Sequence, residues 1–300
     1  MGNGLVADAS GTASAWYNPS LASFTVRQYA TLGYALLSQD RRFEGVQFAM
    51  PLRPRAGVTV GLLHTGVRNI DGRDQSGFHT GMISTGEFVG YLAFGLRFYS
   101  DWAAGIALRF YHHTLYESVS PAKSLGLSFG MVGRVSSALW VGWTLDDLLA
   151  RYVWDTSGST EGARSSDRFP LRLRIGASYL LQGGRGVLTM EYESRVRRAE
   201  IQQYSWTVIG GRPVQTTYFR SVRLHQSWMR IGGEYWIVPQ VALRLGLDGF
   251  SFSEGRAIQP ALGVGFRWNM EDIEGYAAFA SMREPYDNGW RHLLSLRFYL

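Results

Sequence analysis

The amino-acid sequence predicts an all-β fold: a transmembrane, antiparallel up-and-down β-barrel of about fourteen strands with an N-terminal plug segment. Three observations carry that expectation. Large apolar residues alternate with small or polar ones over stretches of roughly 8 to 12 residues, the length of a tilted membrane-crossing strand. Connections between these stretches alternate between short and long along the chain. The alternation of the last stretch runs to Leu300, so the chain ends inside a strand that has a sheet to close.

Composition sets the outer bounds. The 300 residues are 46% hydrophobic, 14% aromatic and 18% charged, with 36 Gly and 9 Pro. This apolar content and modest charge argue against disorder. There is no cysteine, which excludes a disulfide scaffold, a thiolate zinc site and a cysteine nucleophile. Mean hydropathy is −0.10, and no run approaches the roughly 18 uninterrupted apolar residues of a spanning helix. The formal charge is +6, but Lys123 is the only lysine and the arginines scatter along the chain instead of forming a stripe. No nucleic-acid partner is expected.

Taken in order, residues 1–22 are small and polar without alternation and end in Trp16-Tyr17-Asn18-Pro19-Ser20, whose aromatic residues favour docking into the lumen from the periplasmic rim. The first strand is placed near Ser23 to Leu37, followed by a short loop at Ser38 to Arg41. Arg53-Pro54-Arg55 is a tight turn; Arg68 to Gly86 is a long connection. From Tyr91 to Tyr99, Leu92, Phe94, Leu96 and Phe98 share one face, with Tyr91, Ala93, Gly95 and Arg97 on the other. Past the tight Ser100-Asp101, Ile106, Leu108 and Phe110 oppose Ala107, Arg109 and Tyr111. An intermediate loop at Glu117 to Ala122 leads to Leu125, Leu127, Phe129 and Met131 against Gly126, Ser128 and Gly130.

Ser136-Ser137 is tight and Asp147 to Asp167 long. Leu171, Leu173, Ile175 and Tyr179 then oppose Arg172, Arg174, Gly176 and Ser178. A short turn at Gln182 to Gly186 precedes the long segment Arg198 to Arg223, where Gly210-Gly211 between β-prone runs predicts an extended extracellular hairpin. Pro239-Gln240 is tight, Ser253 to Ile258 intermediate, and Leu262, Val264, Phe266 and Trp268 oppose Gly263, Gly265 and Arg267. Asn269 to Asp272 is tight, Arg283 to Gly289 follows, and His292, Leu294, Leu296, Phe298 and Leu300 complete the wall. The organisation is therefore a plug, residues 1–22, and a barrel, residues 23–300, with 198–223 as its long hairpin.

A soluble sandwich also alternates, and a secreted β-sandwich is the third reading. The polar face discriminates: glycine is frequent on it, as though the space it faces were limited. The apolar face is rich in aromatic residues near strand ends, as an interfacial girdle requires. Short turns on one rim and long connections on the other match a membrane barrel, with both chain ends on the short-turn, periplasmic side.

The chemistry is sparse. His112-His113 point to opposite faces of a strand and do not share a metal ion. Asp146-Asp147 are expected to be separated in the same way, and no strand-borne histidine joins them. Gly263-Val264-Gly265 and Gly2-Asn3-Gly4 lack the strand-turn-helix context of a phosphate loop. No catalytic residue, metal or cofactor is expected. The inward row of Arg97, Arg109, Arg172, Arg174, Arg230, Arg244, Arg267 and Arg297 faces Glu191, Glu193, Glu234 and Asp248. An ion-pair network filling the lumen and holding the plug is favoured over a cationic path, because unpaired buried arginine is costly.

The opening Gly2-Asn3-Gly4, the acidic Asp8 and Tyr17-Asn18-Pro19-Ser20-Leu21-Ala22 resemble the start of mature PorV/PorQ-type proteins, within the FadL-like barrels. Asp146-Asp147-Leu148 with Trp154-Asp155-Thr156, then Phe169 to Tyr179, then Met229 to Trp236 continue the likeness in order. The resemblance implies a fourteen-stranded outer-membrane barrel with an N-terminal hatch, for which Asp8, Trp16, Tyr17, Asn18 and Pro19 are the plug and gate residues. It implies two functions. The first is a scaffold associated with type IX secretion, binding protein partners through extracellular loops and the hairpin residues Tyr204, Trp206, Tyr218 and Phe219. The alternative is passive transport of hydrophobic small molecules. Outer-membrane lipid is the expected surrounding. Met1 to Gly4 carry neither the basic nor the apolar run of a secretory leader, so export is expected from the barrel alone.

Overall fold

Period-two stretches whose apolar side faces outward cannot end at an open edge in a membrane, because every backbone N–H and C=O there needs a partner. In the computed structural model they close into an antiparallel barrel of 14 strands. The described residues are 1–300 apart from 12, 100, 117–118, 156–163, 210–211, 252–257, 271–272 and 286–288. The strands are β1 (Tyr29–Leu36), β2 (Arg41–Leu52), β3 (Ala56–Arg73), β4 (His79–Tyr99), β5 (Trp102–Thr114), β6 (Ala122–Arg134) and β7 (Leu139–Leu148). A separate two-stranded hairpin, β8 (Arg151–Asp155) and β9 (Arg164–Arg168), follows. The wall resumes with β10 (Leu171–Leu180), β11 (Gly186–Ile209), β12 (Arg212–Val238), β13 (Val241–Phe250), β14 (Gln259–Met270), β15 (Ile273–Arg283) and β16 (Trp290–Tyr299). β7 pairs directly with β10, and β1 closes on β16 with Tyr29 opposite Tyr299.

Alternation places the side chains as the sequence predicts. Leu92, Phe94, Leu96 and Phe98 are each 40–49% exposed on the outer face, whereas Tyr91 and Ala93 between them are 4% and 0% exposed. The outward rows of β5, β10 and β14 repeat this, so the exposed large apolar residues form a belt around the barrel. None of the described helices is long and apolar enough to cross a membrane.

Two expectations need correction. The first strand starts at Tyr29 instead of near Ser23. Pro19–Phe24 forms a 3-10 helix, because Asn18 caps it by accepting from the Ser20 N–H and Pro19 suits its first position. The connection expected at 68–86 is largely continuous strand, whereas the extended hairpin expected at 198–223 is present. β3 and β4 stay paired out to Arg73 opposite His79, and β11 and β12 pair without a break from Gly186 opposite Tyr235 to Ile209 opposite Arg212. β10 accompanies β11 only as far as Val196, and β13 leaves β12 at Met229. The 13 remaining pairs, from Arg197 opposite Leu224 outward, have no third paired strand among the described residues, a projection of roughly 40 Å at about 3.4 Å per residue. A ribbon wetted on both faces has no need to alternate, so its sequence does not look like wall. The tip Gly210-Gly211, most of Ser253 to Ile258, the middle of Arg283 to Gly289, and Ser100, Glu117, Thr156 and Asp272 lie outside the described residues.

Inward glycines let residues 1–24 run backbone-close against the inner wall. A Cβ on Gly57 would fall 1.9 Å from the Ala22 carbonyl oxygen, one on Gly105 2.4 Å from Pro19 C, and one on Gly130 2.1 Å from Asn18 Oδ1. Gly142 meets Val6 O at 2.8 Å and Gly232 meets Met1 O at 2.4 Å in the same way. The segment thus crosses the lumen from the β12 side of the wall to β3.

Candidate functional site

Two acid–base clusters hold the segment from the wall side. At the end of β7, Arg109 Nη1 from β5 lies 3.2 Å from Asp146 Oδ1 and 3.3 Å from Asp147 Oδ1. From β10, Arg174 Nη2 donates to Asp146 at 2.7 Å and Arg172 Nη2 to Asp147 at 2.7 Å. Tyr111 adds its hydroxyl to Asp147 at 2.5 Å. The two carboxylates were expected on opposite faces. They converge because Asp147 has a left-handed backbone, φ 61°, which breaks the alternation and returns its side chain to the lumen. The guanidiniums then spend their remaining N–H groups on the segment: Arg109 Nη2 donates to Trp16 O at 3.0 Å and Arg174 Nη2 to Tyr17 O at 2.6 Å.

The second cluster centres on Arg230 of β12. It contacts Glu191 at 2.7 Å, Glu193 at 2.6 Å and Asp248 at 3.0 Å. Glu191 also accepts from the Val6 N–H at 3.0 Å, and Asp248 from Asn3 Nδ2 at 3.2 Å. Arg195 pairs with Glu193, and Arg244 with Glu234 at 2.5 Å. The remaining inward arginines lie over rings: Arg97 over Phe24 at 5.5 Å, Arg267 over Trp236 at 4.5 Å and Arg297 over Tyr29 at 4.3 Å. Arg297 also donates to Gly11 O at 2.8 Å. Each arginine set among these acids is neutralised at close range, the condition under which buried charge is tolerable.

Within the segment, Asn18 is fully buried. Its Nδ2 donates to Val6 O at 2.7 Å and Met131 O at 3.1 Å, while its Oδ1 accepts from Ser20. Asp8 is buried and accepts from the Ser10 N–H at 3.0 Å. Trp16 lies edge-on to Tyr91 at 5.1 Å and under Arg109 at 4.6 Å. Asp146 and Asp147 were noted in the sequence but not as partners of the arginines, and Arg195 and Gln47 were not singled out. Gln47 alone had a legible signal, as a polar residue between inward Gly45 and Ala49.

The opposite wall is different. The paired row Ala278, Ser295, Gly33, Gly45 and Leu63 crosses β15, β16, β1, β2 and β3 on the inner face. These residues are partly exposed to the lumen, and Leu293 above them is 40% exposed. A Cβ on Gly33 would meet nothing within 4 Å. Below the row, Ser14 Oγ and the Tyr91 hydroxyl both donate to Gln47 Oε1, and Gln47 Nε2 donates to Tyr29 at 3.2 Å. One wall of the lumen is therefore packed against the segment and its charges, and the other carries small, mostly apolar residues that remain partly exposed.

On the projecting hairpin, Tyr204, Trp206 and Tyr218 are 57%, 68% and 47% exposed. The register divides the expected cluster: Tyr204 pairs with Thr217 and Gln203 with Tyr218, so Tyr204 and Trp206 share one face and Tyr218 takes the other. The Phe219 side chain is outside the described set. Among the described residues no group of His, Cys, Asp and Glu is arranged to hold a metal ion, and His113 packs against the rings of Tyr152 and Trp154.

No family model and no curated protein matches the chain. Solved structures do. The toluene transporter TodX of Pseudomonas putida superposes with a TM-score of 0.62 at 12% identity, over 96% of this chain and 92% of its own. The toluene transporter TbuX of Ralstonia pickettii gives 0.60 at 10% identity, over 94% and 92%. A FadL homologue of Pseudomonas aeruginosa gives 0.59 at 12%, over 95% and 93%. At such identities the likeness is one of fold: it supports the FadL-like part of the resemblance and does not show the PorV/PorQ part, and this chain has the fold of the FadL-like outer-membrane channels.

Proposed function

We propose that this protein is a non-catalytic outer-membrane channel for the passive passage of small hydrophobic molecules, with residues 1–24 as its hatch. The observation that carries the reading is the asymmetry of the lumen: a dense polar anchor on one wall, and on the other a partly exposed row of small, mostly apolar residues beside Gly33. An apolar molecule gains roughly 25 cal/mol for each Å² it removes from water, and this row offers it a surface without charges. On this side the segment is held by hydrogen bonds to Gln47 and Arg297, each worth about 1 kcal/mol net. Displacing Gly11 to Ser14 locally opens the way while both charge clusters keep the rest docked. The similar structures of toluene transporters support the alternative reading of the sequence over the type IX scaffold.

Uptake of a radiolabelled monoaromatic hydrocarbon by cells carrying the wild-type barrel, the Gly33→Trp variant or no barrel tests this. The wild type should exceed both others. Equal uptake in all three, with the barrels correctly inserted, would sink it.

One observation favours a second reading, in which protein partners bind the hairpin: the projecting ribbon exposes Tyr204 and Trp206 on one face. Deleting residues 198–223 should then release a partner retained by the intact protein; a partner set unchanged by the deletion removes this reading.

A further inference from the structure

The outward face of β11 carries Leu188, Met190, Tyr192 and Val196, all at least 36% exposed, as the apolar ladder that meets the membrane. The next outward residue is Arg198. Its partner across the strand is Arg223, and both are exposed. Side chains directly opposite in an antiparallel pair lie about 5 Å apart at Cβ, and like charges there repel. Two residues along a strand advance roughly 7 Å, so the two guanidiniums stand just beyond the hydrocarbon boundary, at headgroup depth.

The inward arginines of the same ribbon are treated differently. Arg195 pairs with Glu193, and Arg197 with Asp167 at 3.2 Å. Neither Arg198 nor Arg223 has an ion pair or hydrogen bond among the described residues. By register the following pair is Glu200 opposite Ser221. Toward the barrel, in the same outward row, His225 is occupied with Ser194 at 2.9 Å. Two cations held side by side at the edge of an apolar surface are a match for an anion that is itself tethered to acyl chains.

We propose that Arg198 and Arg223 form a clamp for a phosphate group of an outer-leaflet glycolipid, whose acyl chains lie along the Leu188 to Val196 ladder. The planar guanidinium fork donates paired, charge-assisted N–H bonds to the oxygens of a tetrahedral phosphate, and the lipid relieves the repulsion built into the bare pair. The site is on the outer surface and does not depend on what crosses the lumen.

The test uses the full chain in dodecyl maltoside micelles, titrated with bisphosphorylated lipid A and with the same lipid dephosphorylated, bound lipid being counted by native mass spectrometry. The wild type should bind the phosphorylated lipid about tenfold or more tightly than Arg198→Ala/Arg223→Ala does, and the two proteins should not differ toward the dephosphorylated lipid. Heat-modifiable electrophoretic mobility establishes that the variant barrel is intact. As an independent readout, phosphorylated lipid should raise the melting temperature of the wild type but not of the variant. Equal binding by the two proteins overturns the clamp. Displacement of the lipid by millimolar inorganic phosphate would reveal a simple anion site and overturn the assignment to lipid.

Discussion

Gly57 and Gly105 test how closely the N-terminal segment depends on the bare inner wall. A methyl group on Gly105 would sit 2.4 Å from both Pro19 C and Ser20 N, and one on Gly57 1.9 Å from Ala22 O and 2.7 Å from its carbon. All four are backbone atoms of one short helix, so no side-chain rotation relieves them, and the helix has to withdraw by about 1 Å or more. Overpacking of this kind costs roughly 1–3 kcal/mol per site. The pair Gly57→Ala/Gly105→Ala therefore costs about 2–6 kcal/mol, which lowers the docked-to-undocked ratio by about 30-fold or more. Opposing it are the bonds from Arg109 and Arg174 to Trp16 O and Tyr17 O and those of Asn18. Hydrogen bonds to charged groups contribute about 1.5–3 kcal/mol each, so the contest is even and undocked molecules should become detectable. In planar bilayers the variant should show frequent large conductance steps, and protease added on the short-turn side should cut within residues 1–24. Gly33→Ala is the control, since its methyl meets nothing within 4 Å. A double variant with native heat-modifiable mobility, wild-type conductance and an uncut segment would refute the reasoning.

Two further outcomes are expected. Asp146 is fully buried between Arg109 and Arg174, so Asp146→Asn leaves two guanidiniums short of a partner. It should destabilise the barrel to urea in micelles by about 3–5 kcal/mol and speed amide exchange at Trp16 and Tyr17, whereas a loss below about 1 kcal/mol would count against the cluster as an anchor. At the long-loop rim, burial alone would raise Glu284, but the N–H and hydroxyl of Ser38 and the Arg41 guanidinium outweigh it and hold the carboxyl below the usual glutamate range. A depressed folded value stabilises the pinned loop fully above the unfolded value, near pH ~4.3, and that contribution fades as pH falls further. Amide protection of residues 38–41 should drop over this acidic window, and Glu284→Gln should abolish the pH dependence; protection equally steep in the variant would assign the effect elsewhere.

Different parts of the molecule were legible from the sequence to different degrees, for physical reasons. Leu92, Phe94, Leu96 and Phe98 announce a wall because period two is a local property, imposed by lipid on one side and a narrow lumen on the other. The final strand, His292 to Leu300, is legible for the same reason. The ribbon beyond Val67 was read as a loop, because water on both faces leaves no pattern, whereas Gly210-Gly211 between β-prone runs announced the long hairpin at 198–223. The inward arginines were legible as a set. Their partners were not: Arg109 finds Asp146 and Asp147 through barrel curvature and one left-handed residue, which no spacing rule encodes.

The small-residue wall shows the limit most clearly. Ala278, Ser295, Gly33, Gly45 and Leu63 come from five strands, and they form a row only once the barrel has closed and set its register. The sequence by itself determined the strands, their inner and outer faces, the closed even-stranded wall and the small residues lining the lumen, since alternation and turn length act over a few residues. Only the tertiary structure decided which charges meet, which wall of the lumen residues 1–24 pack against, and where two outward arginines are left side by side, since each depends on register between strands far apart in the chain.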